Sequence, residues 1–159
     1  MREIKFRGKR LDNEEWVHGD LLQIVGGFVI YHGSHTDSTL IEDRPNLAVE
    51  LYMDEVSPVH PDTVGQFTGL YDFYGKEIYE GDIIESGYDG SGMDYHKTVR
   101  HMVGYNPKDA SFTAEFIGAY PNCGSIRQSW INKFGKRIVG NIHDNPELLK
   151  GGQNGQTAE

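Results

Sequence analysis

Seven histidines and one cysteine are the residues with which this chain could hold a metal or attack an electrophile. His32, His35 and Asp37 share one short polar stretch, while His18, His60, His96, His101 and His143 are scattered. A structural zinc site takes about four N or S ligands in closely spaced pairs, and a catalytic site about three. One cysteine and no His-x-x-x-His on an identifiable helix do not supply either set, so no metal and no cofactor are expected. Cys123 would need a histidine base brought to it by folding. It lies in PNCGS, a turn composition with no following helix N-terminus to depress a thiol pKa. Glu80 and Asp82 could share acid-base work only on a regular strand face, which Gly81 interrupts. Asp82 is read instead as the acceptor of its own turn.

Phosphate-cradling and nucleophile-elbow patterns are missing: the chain has no GxxxxGK[ST], no strand followed by GxGxxG, and no GxSxG. YDGSG at Tyr88 to Gly92 is rich in glycine, but no lysine or helix follows it as a P-loop requires. A loop is the simpler reading.

Binding chemistry has more to stand on. The net charge is -9, which disfavours indiscriminate attraction to nucleic acid. The charges are blocked, however. Residues 1–10 carry five basic groups and one acid, 37–94 carry two basic groups and fourteen acids, and 95–137 carry seven basic groups and two acids. Such alternation suits neutralisation within the fold or across a contact between copies of the chain. It also permits a basic face built from Arg100, Lys108, Arg127, Lys133, Lys136 and Arg137. Single-stranded nucleic acid is bound by stacking bases on aromatic rings beside such cations. Tyr105, Phe112 and Phe116 sit in strand-like segments and are expected in the core, which leaves Trp130 and Phe134 as the aromatic pair expected to be exposed.

The elements that must position these groups are mostly strands. Gly is abundant (20), Tyr and Phe are frequent (9 and 7), and no long window has helical apolar spacing, so helix should be scarce. A length of 159 residues suits one domain or two small β units. Ile4 and Phe6 alternate with charges and lead through a polar turn to Trp16; Gly26-Gly27 precede the strand FVIYH; LAVELY at Leu47 to Tyr52 reads as another strand. His32 to Asn46 reads as a long loop. Two prolines in SPVHPDTVGQ disfavour helix and central strand and suggest a boundary near Pro61. A hairpin follows over Gln66 to Glu85, with Gly69 at a bend, Gly75 at the turn, a kink at Gly81-Asp82, and Ile78, Ile83 and Ile84 as core anchors. Tyr88 to Asp94 is a connector. KTVRHMVGYN and SFTAEFIG pair as strands, KRIVGNIH is the last strand, and Asn145-Pro146-Glu147 starts a helix of one or two turns. GGQNGQTAE is expected to be disordered. WVHGDLL and IYEGDII also echo each other, suggesting a duplicated strand-turn unit.

MREIKFRGKR, EWVHGDLL at Glu15 to Leu22, TVGQFTGLYDFYGKEIYEGDII at Thr63 to Ile84, and VGNIHDNPELL at Val139 to Leu149 together resemble the YopX family of bacteriophage and prophage proteins. The resemblance covers both ends and the centre. It implies an SH3-like barrel over residues 62–150, preceded by a smaller β-rich unit over 1–61, with 151–159 as a tail. It implies a phage or prophage origin and supplies no catalytic residue. Tyr74 stands where the family turn usually has Asn, so a type I turn with Gly75 in the left-handed region is expected. His18 and His143 stand where the family tends to have Tyr.

The expected protein is mainly β, with very little helix. It is a non-enzymatic accessory protein that binds a macromolecule and self-associates, or else a nucleic-acid module using 95–137; an enzyme with an unfamiliar site is the least favoured alternative. Basic residues near the start interrupt any leader-like apolar run, and Ile24 to Tyr31 falls far short of the roughly 18 residues of a membrane helix, so a cytoplasmic protein without membrane contact is expected.

Overall fold

The computed structural model describes residues 3–33, 55–86, 99–118 and 123–150. The strand expected at Leu47 to Tyr52, most of the loop after His32, the connector Tyr88 to Asp94, His35, His96 and the tail lie outside the described residues. The protein is mainly β. Its chain divides into two units, Met1–Gln66 and Phe67–Glu159.

In the first unit, β1 (Phe6–Lys9), β2 (Trp16–Ile24), β3 (Gly27–Tyr31) and β4 (Val56–Val59) form an antiparallel meander in the order β4-β3-β2-β1. Ile30 and Val59 are fully buried, and Val29 nearly so. Ile4, expected to belong to the opening strand with Phe6, precedes it and is 61% exposed, because β1 starts only at Phe6. Pro58 sits inside β4, and the prolines argued only against helix and a central strand. β4 ends the sheet, and an end strand tolerates a residue with no N–H to donate. A 3-10 turn, Pro61–Thr63, follows. The first residues of β5 (Gly65–Tyr71) still pair with β1, Gly65 with Arg7 and Gln66 with Phe6, which places the division past Pro61. Arg7 is buried with its guanidinium 4.7 Å from the centre of the Trp16 ring. The sequence echo is not a repeated structure: Gly19 lies within β2, whereas Gly81 lies between strands.

In the second unit, β5 pairs through Phe67 and Tyr71 with β6 (Glu77–Tyr79), with a register shift between those two residues around Gly69. Asp72 makes the turn. Its Oδ1 accepts from the N–H groups of Tyr74 (2.8 Å) and Lys76 (2.9 Å), and Gly75 takes φ 85° as the turn requires, while Tyr74 keeps a negative φ. The returning segment is two strands, β6 and β7 (Asp82–Ser86), because Gly81 turns the chain with φ 81°. Asp82 Oδ2 accepts from Tyr79 N–H at 2.8 Å, so the acid serves its own turn. β8 (Arg100–Asn106), β9 (Ser111–Phe116), β10 (Cys123–Ser125) and β11 (Lys136–Asn141) complete a five-stranded antiparallel sheet ordered β10-β9-β8-β7-β11. β10 and β11 end the sheet, and a short helix, α1 (Gln128–Lys133), links them, an open SH3-like arrangement.

Ile78, Ile84, Val103, Ala114, Ile126 and Ile131 form the core of this unit, with Ile83 buried as well. Two local expectations change. Cys123 begins a strand rather than a turn. The last helical piece is a 3-10 turn, Pro146–Leu149, that Asn145 does not cap with its side chain; Asn145 Oδ1 accepts from Asn141 N–H at 3.3 Å instead. Among the described residues no helix is long and apolar enough to cross a membrane.

Candidate functional site

Strand register decides which side chains meet. Opposed residues of an antiparallel pair share a face, and neighbours along a strand alternate. The pairs Ile84 with His101, Ile84 with Ile138, Val103 with Ala114 and His101 with Phe116 all lie on the core face. Lys136, paired with Ser86 and two residues before Ile138, shares it. Lys136 is 2% exposed, and its ammonium donates to Ser86 Oγ and lies 4.7 Å from the centre of the Trp130 ring.

α1 lies over this end of the sheet. Its QSWINK sequence is too short to be stable alone and Arg127 gives no side-chain cap, so tertiary contacts hold it. Ile131 is fully buried, and Gln128 exchanges two hydrogen bonds with the Tyr71 backbone, receiving from N–H at 3.0 Å and donating to the carbonyl at 2.8 Å. Trp130 thereby stands edge-on to His101, with ring centres 5.1 Å apart, and packs against Phe134 at 6.4 Å.

A cleft of about 500 Å³ opens between α1, β8, β9 and β10. Trp130, Phe134 and His101 give it aromatic walls, Ala114 lies at its buried side, and Arg127 and Lys133 stand at its exposed rim. Lys133 Nζ is 5.2 Å from the centre of the Phe134 ring. No Asp or Glu is among its described lining residues. Burial, with the Lys136 ammonium beside it, pushes the His101 imidazole down to about 4. Lys136 Nζ is 3.4 Å from Nδ1. An ammonium can only donate, so Nδ1 is the acceptor and the neutral ring carries its proton on Nε2.

The family model described as YopX protein matches residues 5–150 of the chain. The chain belongs to the YopX family. The crystal structure of protein EF1440 from Enterococcus faecalis is similar to this YopX chain, with 27% identity and a TM-score of 0.53, over 94% of this chain and 100% of that one. No curated protein matches.

The eight basic and aromatic residues singled out from the YopX sequence do not form one surface. Arg127, Trp130, Lys133 and Phe134 meet in the cleft, and Lys136 is buried behind the indole. Arg100 and Arg137 lie on the opposite face of the sheet, where both pair in register with Glu85 and bond its carboxylate at 3.0 and 3.1 Å. Lys108 sits in the β8–β9 turn, at the far end of β8 from His101. Trp130 and Phe134 are half-buried rather than exposed, and Tyr105, expected in the core, is 47% exposed.

Sequence reasoning missed α1 and the place of His101. A signal for the helix existed in Lys133 and Gly135 at its end, with Trp130 and Phe134 four apart. Of the other described histidines, His32 bonds Ser57 at 3.0 Å and His60 bonds Glu14 at 2.8 Å. Among the described residues no three His, Cys, Asp or Glu are grouped to hold a metal ion.

Proposed function

We propose that this YopX protein is a non-enzymatic binding module, a phage or prophage accessory factor acting in the bacterial cytoplasm, whose contact site is the cleft beside α1. The observation that carries this reading is the lining itself: aromatic walls and two rim cations, with no carboxylate among the described residues, in an acidic protein. A cavity of this size falls in the range of ligand sites, roughly 300–1,000 Å³. Its one imidazole favours binding over catalysis. A general acid or base works best with a pKa near the operating pH, and His101 is pushed down to about 4.

Self-association is part of the same proposal, on a separate observation. Tyr71, Phe73 and Tyr74 cluster at the β5–β6 hairpin tip with exposures of 40%, 55% and 74%. Aromatic residues are enriched where proteins meet.

Photo-crosslinking from inside bacterial cells tests the contact site. Replacing exposed Ser129 with a photoreactive benzoylphenylalanine should yield an adduct, and the same replacement at Lys108 should not. Adducts only from the Lys108 position, or from neither, would remove the cleft as the contact site.

A further inference from the structure

We infer that the occupant of the α1 cleft is single-stranded nucleic acid, with a base against Trp130 and Phe134 and the flanking phosphates at Arg127 and Lys133. This inference rests on the reading of the cleft as a contact site. It goes further by naming the chemistry of what enters.

Charge selects the class of ligand. The chain is acidic overall, and several of its cations are matched with acids: Arg10 with Asp12, Lys5 with Glu3, and Arg100 and Arg137 with Glu85. Among the described residues, Arg127 and Lys133 have no carboxylate partner, and both stand at the cleft. Lys136 adds a third positive charge behind the indole. An anion approaching an otherwise repelling surface is attracted to this place.

Ring chemistry narrows the class. Phosphate alone would use the cations and leave the apolar walls wet, whereas an uncharged aromatic ligand would leave the rim cations without a role. A nucleotide unit uses both, because its base has a π face for stacking and its backbone supplies the anion. The edge-on contacts of Trp130 with His101 and Phe134 hold the indole in one orientation before the ligand arrives. His101 adds a donor: with Nδ1 turned to Lys136, the ring's one N–H is on Nε2, available to a base oxygen or nitrogen. A duplex keeps its bases stacked within the helix and cannot offer one to the cleft without unpairing it. The selected ligand is therefore a single strand.

Fluorescence isolates the event. The chain has two tryptophans, so Trp16→Phe leaves Trp130 as the reporter. The full-length protein would be titrated with an unstructured DNA oligonucleotide, the RNA of the same sequence, and the DNA duplex, at low and moderate salt. Trp130 emission should be quenched by single strands. Engagement of two phosphates gives a slope of log K against log salt of about -1.4, at roughly -0.7 for each phosphate of a single strand. Quenching by DNA alone, RNA alone or both supports the inference and identifies the strand. Arg127→Glu with Lys133→Glu, both at exposed positions, should weaken binding about tenfold or more while leaving the circular dichroism spectrum unchanged. Trp130→Ala, followed by anisotropy of a labelled oligonucleotide because the reporter is gone, should weaken it roughly 5- to 150-fold by loss of stacking.

No quenching and no anisotropy change with either strand at low salt would overturn the inference, as would undiminished binding by the charge-reversed protein or equal affinity for the duplex. If the Ser129 crosslinker then joins a protein, the cleft stands as a contact site and nucleic acid is excluded as its occupant. If it joins nothing, both readings fall.

Discussion

His101 shows how one side chain is set by neighbours distant in sequence. It pairs with Ile84 on one side and Phe116 on the other, lies edge-on to Trp130, and has the Lys136 ammonium at Nδ1. Burial and that positive charge both disfavour the imidazolium, so its folded pKa of about 4 lies below the ordinary imidazole value of 6.5. The unfolded chain therefore binds a proton that the folded one refuses. Stability from this group is intact above about pH 6.5, falls as pH drops from there, and stops falling below about pH 4. Urea unfolding midpoints measured across that interval should decline more steeply for the natural protein than for His101→Gln. Parallel declines would show that other groups account for the acid sensitivity. Asp82 and Glu85 show the complementary case of buried acids supplied with donors, one by its own turn and the other by two arginines.

At the scale of elements, the turn between β6 and β7 redirects the chain from pairing with β5 to pairing with β8 and β11. Gly81 makes that turn in the left-handed region, donates to the Val103 carbonyl at 2.8 Å and accepts from Ile142 N–H at 2.9 Å. A Cβ here would meet Ile142 Cγ1 at 3.4 Å, an ordinary contact, so the cost of a side chain is conformational more than steric. Gly81→Val should lower stability by about 1–3 kcal/mol. Gly81→Asn should cost less, because Asn tolerates this backbone region better. Thermal unfolding would rank the three. Equal melting temperatures would mean that the turn is not strained by a β-branched residue, and lost binding in a fully folded Val variant would point to a direct role for Gly81. α1 is the element that local signals marked most weakly. Six residues cannot display an apolar period, and its position comes from Ile131 in the core and the Gln128 bonds to Tyr71.

For the molecule as a whole, the alternating charge blocks have part of their explanation in register. Glu85 comes from the acidic stretch and Arg100 and Arg137 from the basic one, and strand pairing sets them side by side. The proposed self-association has a prediction at this scale. Sedimentation should give a mass at a multiple of 17.9 kDa, and Phe73→Ser with Tyr74→Ser should return it toward the single-chain value. A monomer at tens of micromolar in the natural protein would remove the proposal, and an unchanged oligomer in the variant would remove the hairpin tip as its contact.

The chain's own residues determined the mainly β class, the Gln66 to Glu85 hairpin with its turn at Gly75, and the strands around Val103, Ala114 and Ile138, while Gly81, read as a kink within one returning strand, is a turn between two. Those features depend on alternation and turn chemistry, which act over a few neighbouring residues and are therefore legible in order along the chain. Tertiary structure alone decided that α1 forms, that Lys136 and His101 share a face, and that Arg100 and Arg137 face away from the cleft while Arg127 and Lys133 stand beside it. Each of these depends on which strands pair and in what register. Shifting a strand by one residue would exchange its two faces, so a basic segment in the sequence does not specify a basic surface until the sheet has formed.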